Sequence, residues 1–411
     1  MPATGQPDSD GRPSFGAELR QCRTERGWSL RDLACRITFH RGYIGKIETG
    51  EKFPERQFAE LADRELQAHG QLVCAWHTEA EERRQLERTG RLLTASVKDS
   101  LRLITAMDEK IPLEDIDEAG QALAVEYLRT PPGPMLQKAV ELRSELLRRL
   151  KQQDYRPHQL PDLYVALGRL QGVLAYAALD LGDPQAAMTH ADAAWACADQ
   201  VGDNELRAWV RGTQSLIARF RSDFTDALWY VHNGLEYPSP GTSRIRLLSG
   251  VAQCQANLDD SHGANQALDQ AQTEREQLAT RDSVEGLFTF SEAKQRYYAG
   301  SSLIWLNERA DAERAAAEAS LAITMWEQGP PEDRSLDDEA LARVYLATAQ
   351  LQLHDLEAAK AAVRPILDLP AERQISWIKK RLDRLAGMLL EEPYKGSLAA
   401  KEMYDEIHSL A

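Results

Sequence analysis

Ser29-Leu30-Arg31-Asp32-Leu33-Ala34, a break at Thr38-Phe39, and His40-Arg41-Gly42-Tyr43-Ile44-Gly45-Lys46-Ile47-Glu48-Thr49-Gly50 spell two short helices joined by a tight turn. Ser29 is placed to cap the first helix. Its hydroxyl can accept from an orphan amide, and Asp32 stands at the capping-box position more often held by Glu. Leu30, Leu33, Ala34 and Ile37 share the inward face, and small Ala34 permits close crossing of a neighbouring helix. In the second helix Ile44 and Ile47 are the inward pair, which turns Arg41, Tyr43 and Lys46 outward. Gly50 closes that helix and Pro54 blocks its continuation. Upstream, Phe15, Leu19 and Cys22 recur at helical spacing, and Gly27 ends the helix where the chain needs positive φ.

The pattern is that of a helix-turn-helix, whose second helix enters the major groove with its early side chains at base edges. Over residues 1–70 the chain resembles the Cro/C1-type, or XRE, helix-turn-helix. Ile47-Glu48-Thr49-Gly50-Glu51-Lys52 followed by Pro54 matches that family's characteristic ending. The resemblance implies a buried ion pair between Arg23 and Glu48. It also implies base reading at His40, Arg41 and Lys46, with Tyr43 nearby and Arg31 close to the DNA backbone. Solvated charge is the alternative reading for Arg31 and Lys46, and packing is the alternative for Tyr43. Two features depart from the family pattern. Phe39 is large and apolar in a turn that is usually small or polar, and Gly42 with Gly45 lowers the intrinsic stability of the recognition helix.

The formal net charge of the 411-residue chain is -15, but the charge is unevenly placed. Residues 12–56 hold ten Lys/Arg against six Asp/Glu, a balance of +4. A basic head on an acidic body fits a protein whose head alone meets phosphate. No run approaches the ~18 apolar residues of a membrane span. Residues 1–13 are polar, without the apolar stretch of a signal peptide, and read as a disordered arm. The five cysteines form no Cys-x-x-Cys pair, and three fall on inner helix faces. Reduced core cysteines and a cytoplasmic location are expected, nucleoid-associated when DNA is bound.

Beyond residue 135 strand signals disappear and a pattern repeats. An apolar helix end, a polar turn and an alanine recur as Leu181 to Ala187, Arg221 to Ala227, Leu258 to Ala264, Leu306 to Ala312 and Leu353 to Ala359. Four residues before each start stands Ala177, Ile217, Cys254, Ser302 or Ala349, small or apolar as helix packing requires. The spacing is that of a helix-turn-helix repeat unit, and the copies look like degenerate tetratricopeptide repeats. An alanine-rich helical bundle is the alternative. The expected fold is all-α: a disordered arm at 1–13, a DNA-binding head at 14–70, a helical linker or dimerisation region at 71–134, and a tetratricopeptide-like α-solenoid sensor at 135–411. Within the linker, helices are expected at Gln71–Arg88 and Arg91–Met107 and again after Pro112. Arg129 to Pro134 marks the solenoid border.

No phosphate loop, His-Glu-x-x-His, Cys-x-x-Cys or Gly-x-Ser-x-Gly is present, so neither catalysis nor a cofactor or metal is expected. On the first helix of the repeats, Tyr176, Arg211, Gln214, Lys294 and Tyr298 are candidates for a concave ligand groove, with ordinary packing as the alternative. The whole arrangement resembles actinobacterial-type regulators and, more distantly, the peptide-sensing regulators of Gram-positive bacteria. That resemblance implies a double-stranded DNA operator, a homodimer, and a signalling peptide, small molecule or protein in the groove. The alternatives are an interaction scaffold with a vestigial DNA-binding head, and an enzyme with a regulatory head.

Overall fold

The computed structural model describes residues 13–106, 116–152, 160–306 and 308–408. Among these residues every regular element is helical. The arm expected at 1–13 lies outside the described residues apart from Pro13, as does the turn expected at Pro112. The chain divides into two compact units, the first holding the residues up to Arg91 together with those from Tyr404 on, and the second spanning Leu92–Met403.

The first unit holds α1 (Phe15–Glu25), α2 (Leu30–Ile37), α3 (Arg41–Glu48), α4 (Arg56–Leu66) and the first part of α5 (Gln71–Ala106). Ser29 and Asp32 form the complete capping box at the start of α2. Thr38 turns the chain after α2 with a φ of 58°. Phe15, Leu19, Leu33, Ile37, Ile44, Ile47 and Phe58 are buried together. A Cβ on Gly16 would collide with the Ile47 carbonyl, so glycine lets α1 and α3 touch backbone to backbone.

The head continues past the border expected at residue 70. Leu72, Trp76 and Ala80 of α5 enter the same apolar cluster. Asp63 accepts from the Gly70 and Leu72 amides, at 2.9 and 3.0 Å, and fixes the entry to α5. Glu79, also on α5, accepts from the first amide of α1 at 2.8 Å. The two helices expected at 71–88 and 91–107 are one continuous helix, because the isolated Gly90 between them does not interrupt it. Leu86, further along the same helix, is 75% exposed.

In the second unit, α6 (Ile116–Tyr127) and α7 (Pro132–Gln152) precede six helix pairs. These are α8 (Leu160–Asp180) with α9 (Pro184–Val201), α10 (Asn204–Phe220) with α11 (Phe224–Leu235), and α12 (Ser243–Asn257) with α13 (Ser261–Glu276). They continue as α14 (Glu292–Leu303) with α15 (Arg309–Gln328), α16 (Leu336–Gln352) with α17 (Leu356–Leu367), and α18 (Ser376–Leu389) with α19 (Leu398–His408), of which only the part up to Met403 belongs to this unit. The break at Arg129 to Pro134 falls between α6 and α7, inside this unit and not at its border. Pro132 serves as a helix start. Tyr127 is buried and donates to Asp180 at 2.6 Å, and the Leu128 carbonyl accepts from the Leu336 amide at 3.1 Å, so α6 belongs to the unit.

The five repeating motifs are the turns within the pairs α8/α9 to α16/α17. Ala187, Ala227, Ala264, Ala312 and Ala359 are buried on the second helices. Ala177, Ile217, Cys254, Ser302 and Ala349 are buried on the first. The small side chains let each pair pack closely. Four of the turns share one backbone design. Gly182, Ser222, Asp259 and His354 each adopt a left-handed φ, between 61° and 86°. The following amides of Asp183, Asp223, Asp260 and Asp355 reach back to Ala178, Ala218, Gln255 and Gln350. These are Schellman closures.

The repeats do not end as an open groove. Ser376 of α18 donates to the Leu179 carbonyl at 2.6 Å, Lys380 donates to the Phe220 carbonyl, and Trp377 meets Phe220 edge-on at 4.9 Å. The last first-helix thus docks on α8 and α10, and the unit closes on itself.

Candidate nucleic-acid interface and solenoid cavity

On α2 and α3 the burial pattern sorts the predicted residues. Ile44, Ile47 and Glu48 are buried, and Arg31, His40, Arg41 and Lys46 are exposed. Arg23 donates to both carboxylate oxygens of Glu48, at 2.6 and 2.7 Å, and to the Trp28 carbonyl at 2.6 Å. Each partner of this fork is 8% exposed, so the pair ties α1 to α3 from inside and does not face DNA. The hydrogen bond from Arg23 to Glu48 holds the guanidinium pKa above its ordinary value.

His40 is the N-cap of α3, and its Nδ1 accepts from the Gly42 amide at 3.2 Å. Its ring is therefore partly committed to the helix start. Tyr43 is half-buried. It stacks on Phe39 at 5.6 Å and meets Phe58 edge-on at 5.7 Å. Phe39 meets Phe58 at 5.1 Å, so the large turn residue fills the seam between α3 and α4. The Tyr43 ring takes part in packing, unlike the outward position expected for it. Lys46 stands 4.0 Å from Glu51, an exposed pair. The exposed cations of the two helices are Arg31, Arg36, Arg41 and Lys46, of which Arg36 lies over the Trp28 ring and Lys46 beside Glu51.

The second candidate is a cavity within the second unit, walled by residues of α6, α8, α10, α12, α14, α16 and α18. Tyr176, Lys294 and Tyr298 line it, as expected. Arg211 and Gln214 do not. Arg211 lies 3.5 Å over the Trp195 ring and donates to Gln214 at 2.8 Å, while Gln214 donates to Asp192 at 2.9 Å. These partners sit on α9. On a regular helix Gln214 stands about 140°, and Arg211 about 80°, around the axis from the cavity-lining Arg219.

Residues outside the predicted set complete the cavity wall. Arg246 donates to the Tyr176 hydroxyl at 2.8 Å, the Trp209 carbonyl at 2.7 Å and the Thr213 hydroxyl at 3.0 Å. Lys294 stands 3.7 Å from Asp338, and Arg373 reaches Asp337 at 3.4 Å. Burial pushes the Asp337 carboxyl up to about 6, against the pull of Arg373. Burial likewise lifts Asp180 well above the carboxylate range.

A separate polar cluster pins the far half of α5 within the second unit. His190 of α9 meets Ser96 at 2.9 Å through Nε2 and Ser100 at 2.6 Å through Nδ1. Arg143 of α7, fully buried, donates to the Ser96 hydroxyl at 2.9 Å and its carbonyl at 2.8 Å. Gln171 Oε1 also stands beside Nδ1, at 3.0 Å. Burial, reinforced by Arg143, holds the imidazole pKa down to about 3.

Among the described residues no cluster suited to a metal ion forms, and no helix is long and apolar enough to cross a membrane. Residues 14–76 match the family described as Helix-turn-helix domain. The N-terminal segment is therefore a helix-turn-helix domain. No curated protein matches the chain. Among solved structures, that of Bacillus thuringiensis PlcR in complex with the peptide PapR7 and DNA is similar at a TM-score of 0.27 and 17% identity, over 65% of this chain and 99% of that one.

Proposed function

We propose that the chain is a sequence-specific DNA-binding transcription regulator, acting as a homodimer and without catalytic activity, whose second unit senses a ligand. The observation that supports it best is the sorting on α2 and α3. The inner faces are locked by Ile44, Ile47 and the Arg23–Glu48 fork, and the outer faces present Arg31, Arg41 and Lys46. Arg41 is the first residue of α3, where a helix-turn-helix reads bases, and arginine pairs bidentately with guanine. One such short helix reads a half-site, which is why a dimer is the reading.

Arg41→Ala should weaken binding to a selected operator by about 1–3 kcal/mol and relax preference at one base pair. Lys46→Ala should weaken all DNA similarly and flatten the salt dependence. Operators come from selection on a random duplex library with the full chain, and light scattering reads the stoichiometry. Failure to enrich any sequence in a salt-sensitive manner would favour an interaction scaffold with a vestigial head.

A further inference from the structure

The cavity of the second unit carries cations without anions to match them. Seven charged side chains line it: Arg219, Arg246, Lys294 and Arg381 against Asp180, Asp337 and Asp338. The acids are answered by groups other than Arg219, Arg246 and Arg381. Asp338 faces Lys294 and accepts from Ser335 at 2.7 Å. Asp337 faces Arg373, and Asp180 accepts from Tyr127. Burial raises the Asp180 carboxyl above the usual range, and its partner is a phenol and not one of the lining cations.

The three arginines have neutral partners only, among the described residues. Arg219 is 6% exposed, stands over the Tyr298 ring at 5.5 Å, and its Nε has no acceptor. Arg246, also 6% exposed, spends its donors on hydroxyls and a carbonyl. Burial holds the Tyr176 hydroxyl above its ordinary pKa, so that partner stays a neutral phenol. Arg381 donates to the Tyr345 hydroxyl at 3.2 Å and lies over the Trp377 and Trp305 rings at 5.0 and 5.5 Å. A buried guanidinium without a carboxylate is unfavourable unless something else brings the charge. Aromatic rings recover only part of it.

We propose that this cavity is the binding site of a small organic anion, a carboxylate or phosphate monoester, whose charged group is received by Arg219, Arg246 and Arg381 and whose body lies against the tyrosine and tryptophan rings. The proposal rests on the sensor reading of the second unit and gives its ligand a chemistry. The cavity is concave and walled by α6, α8, α10, α12, α14, α16 and α18, a setting that suits a small molecule better than a folded partner. Arginine supplies the planar fork that carboxylate and phosphate oxygens match.

The test uses the full chain with benzoate and phenyl phosphate as probes, benzamide as the neutral analogue, and Arg219→Met and Arg381→Met as variants. Either anion should raise the melting temperature as its concentration rises, and benzamide should not. Each variant should weaken anion binding, read by calorimetry, about tenfold or more. The unliganded Arg219→Met protein should melt no lower than the native one, because it removes an unmatched buried charge. A structural arginine behaves the opposite way, so a large drop in melting temperature there overturns the proposal. Equal response to benzamide, an anion response that survives in both variants, or no response to either anion also overturns it. Operator binding is measured in parallel: its failure would sink the regulator reading while leaving anion binding intact.

Discussion

At the scale of the residue, Glu48 illustrates how a side chain on the recognition helix can serve the fold and not the ligand. Its two oxygens accept from Arg23, and the side chains are 10% and 5% exposed. Truncating one partner strands the other charge in the core, which typically costs about 3–5 kcal/mol. Glu48→Ala should lower the stability of the first unit by that order, read by denaturant melts of the full chain with Trp28 and Trp76 as probes. A loss under about 1 kcal/mol would be the behaviour of an exposed pair. His190 makes the same point through protons. Its pKa falls from 6.5 to about 3, first through burial and then through Arg143. Between those values the unfolded chain binds a proton that the folded chain refuses. Its contribution is full above about pH 6.5 and declines as pH falls. At pH 5 the loss is about 2 kcal/mol. His190→Gln should flatten the stability–pH slope between 7 and 5 by that amount. An unchanged slope would place the acid sensitivity on other groups.

At the scale of the element, the Schellman turns show what sequence carries and what it hides. Gly182 meets the left-handed φ without strain, but Ser222 holds it at 63°. A non-glycine residue there gives up about 1 kcal/mol, so Ser222→Gly should stabilise the second unit by roughly that much in denaturant melts. A neutral or destabilising outcome would mean that the Ser222 side chain compensates locally. The repeat was legible because these turns recur with a buried alanine six residues on. The cavity was half legible, and register explains which half. Counting back from Leu181, Arg221, Leu258, Leu306 and Leu353, most lining residues of the first helices stand twelve, eight, five or one positions earlier, with Tyr297, Asp337 and Asp338 among the exceptions. Tyr176, Lys294 and Tyr298 occupy that register, as do Asp180, Arg246, Gln253, Ser301, Trp305 and Tyr345. Arg211 and Gln214 stand ten and seven positions back, off the stripe. Once the structure sets that register, it separates Arg211 and Gln214 from the stripe and takes in Arg246. Arg219 lies beside the stripe and required the structure. So did the Ser96, Ser100, Arg143, Gln171 and His190 cluster, whose hydrogen-bonded partners lie 43–94 residues apart except within α5 and between α8 and α9. In the head, capping and the inward pairs were legible, but Glu79 capping α1 across 64 residues was not.

At the scale of the molecule, closure changes what kind of object the second unit is. An open solenoid is held by contacts between neighbours, so its ends fray and stability adds up pair by pair. Here α18 returns to α8 and α10, with Ser376 bonded to Leu179 across 197 residues. Contacts of that separation make the first and last pairs stabilise each other, and they seal the arginine-lined space. Trp377, 7% exposed and edge-on to Phe220, is the largest apolar group in the seam. Hydrogen exchange resolves the consequence segment by segment. In the native chain the amides of α8, α10 and α18 should share one high opening free energy. Trp377→Ala should remove about 3–5 kcal/mol from α18, as for other buried tryptophans, and let α18 open ahead of α12. If α18 in the native chain already exchanges far faster than α12, the return of α18 contributes little and the unit behaves as an open array. A closed unit also bears on sensing, since ligand entry then requires a local opening. Any shift in DNA affinity would come from the ligand's preference for one of the two forms, typically about 1–3 kcal/mol. A seam loosened at Trp377 should therefore admit an anion faster and hold it less tightly, a change that stopped-flow association and dissociation rates would separate.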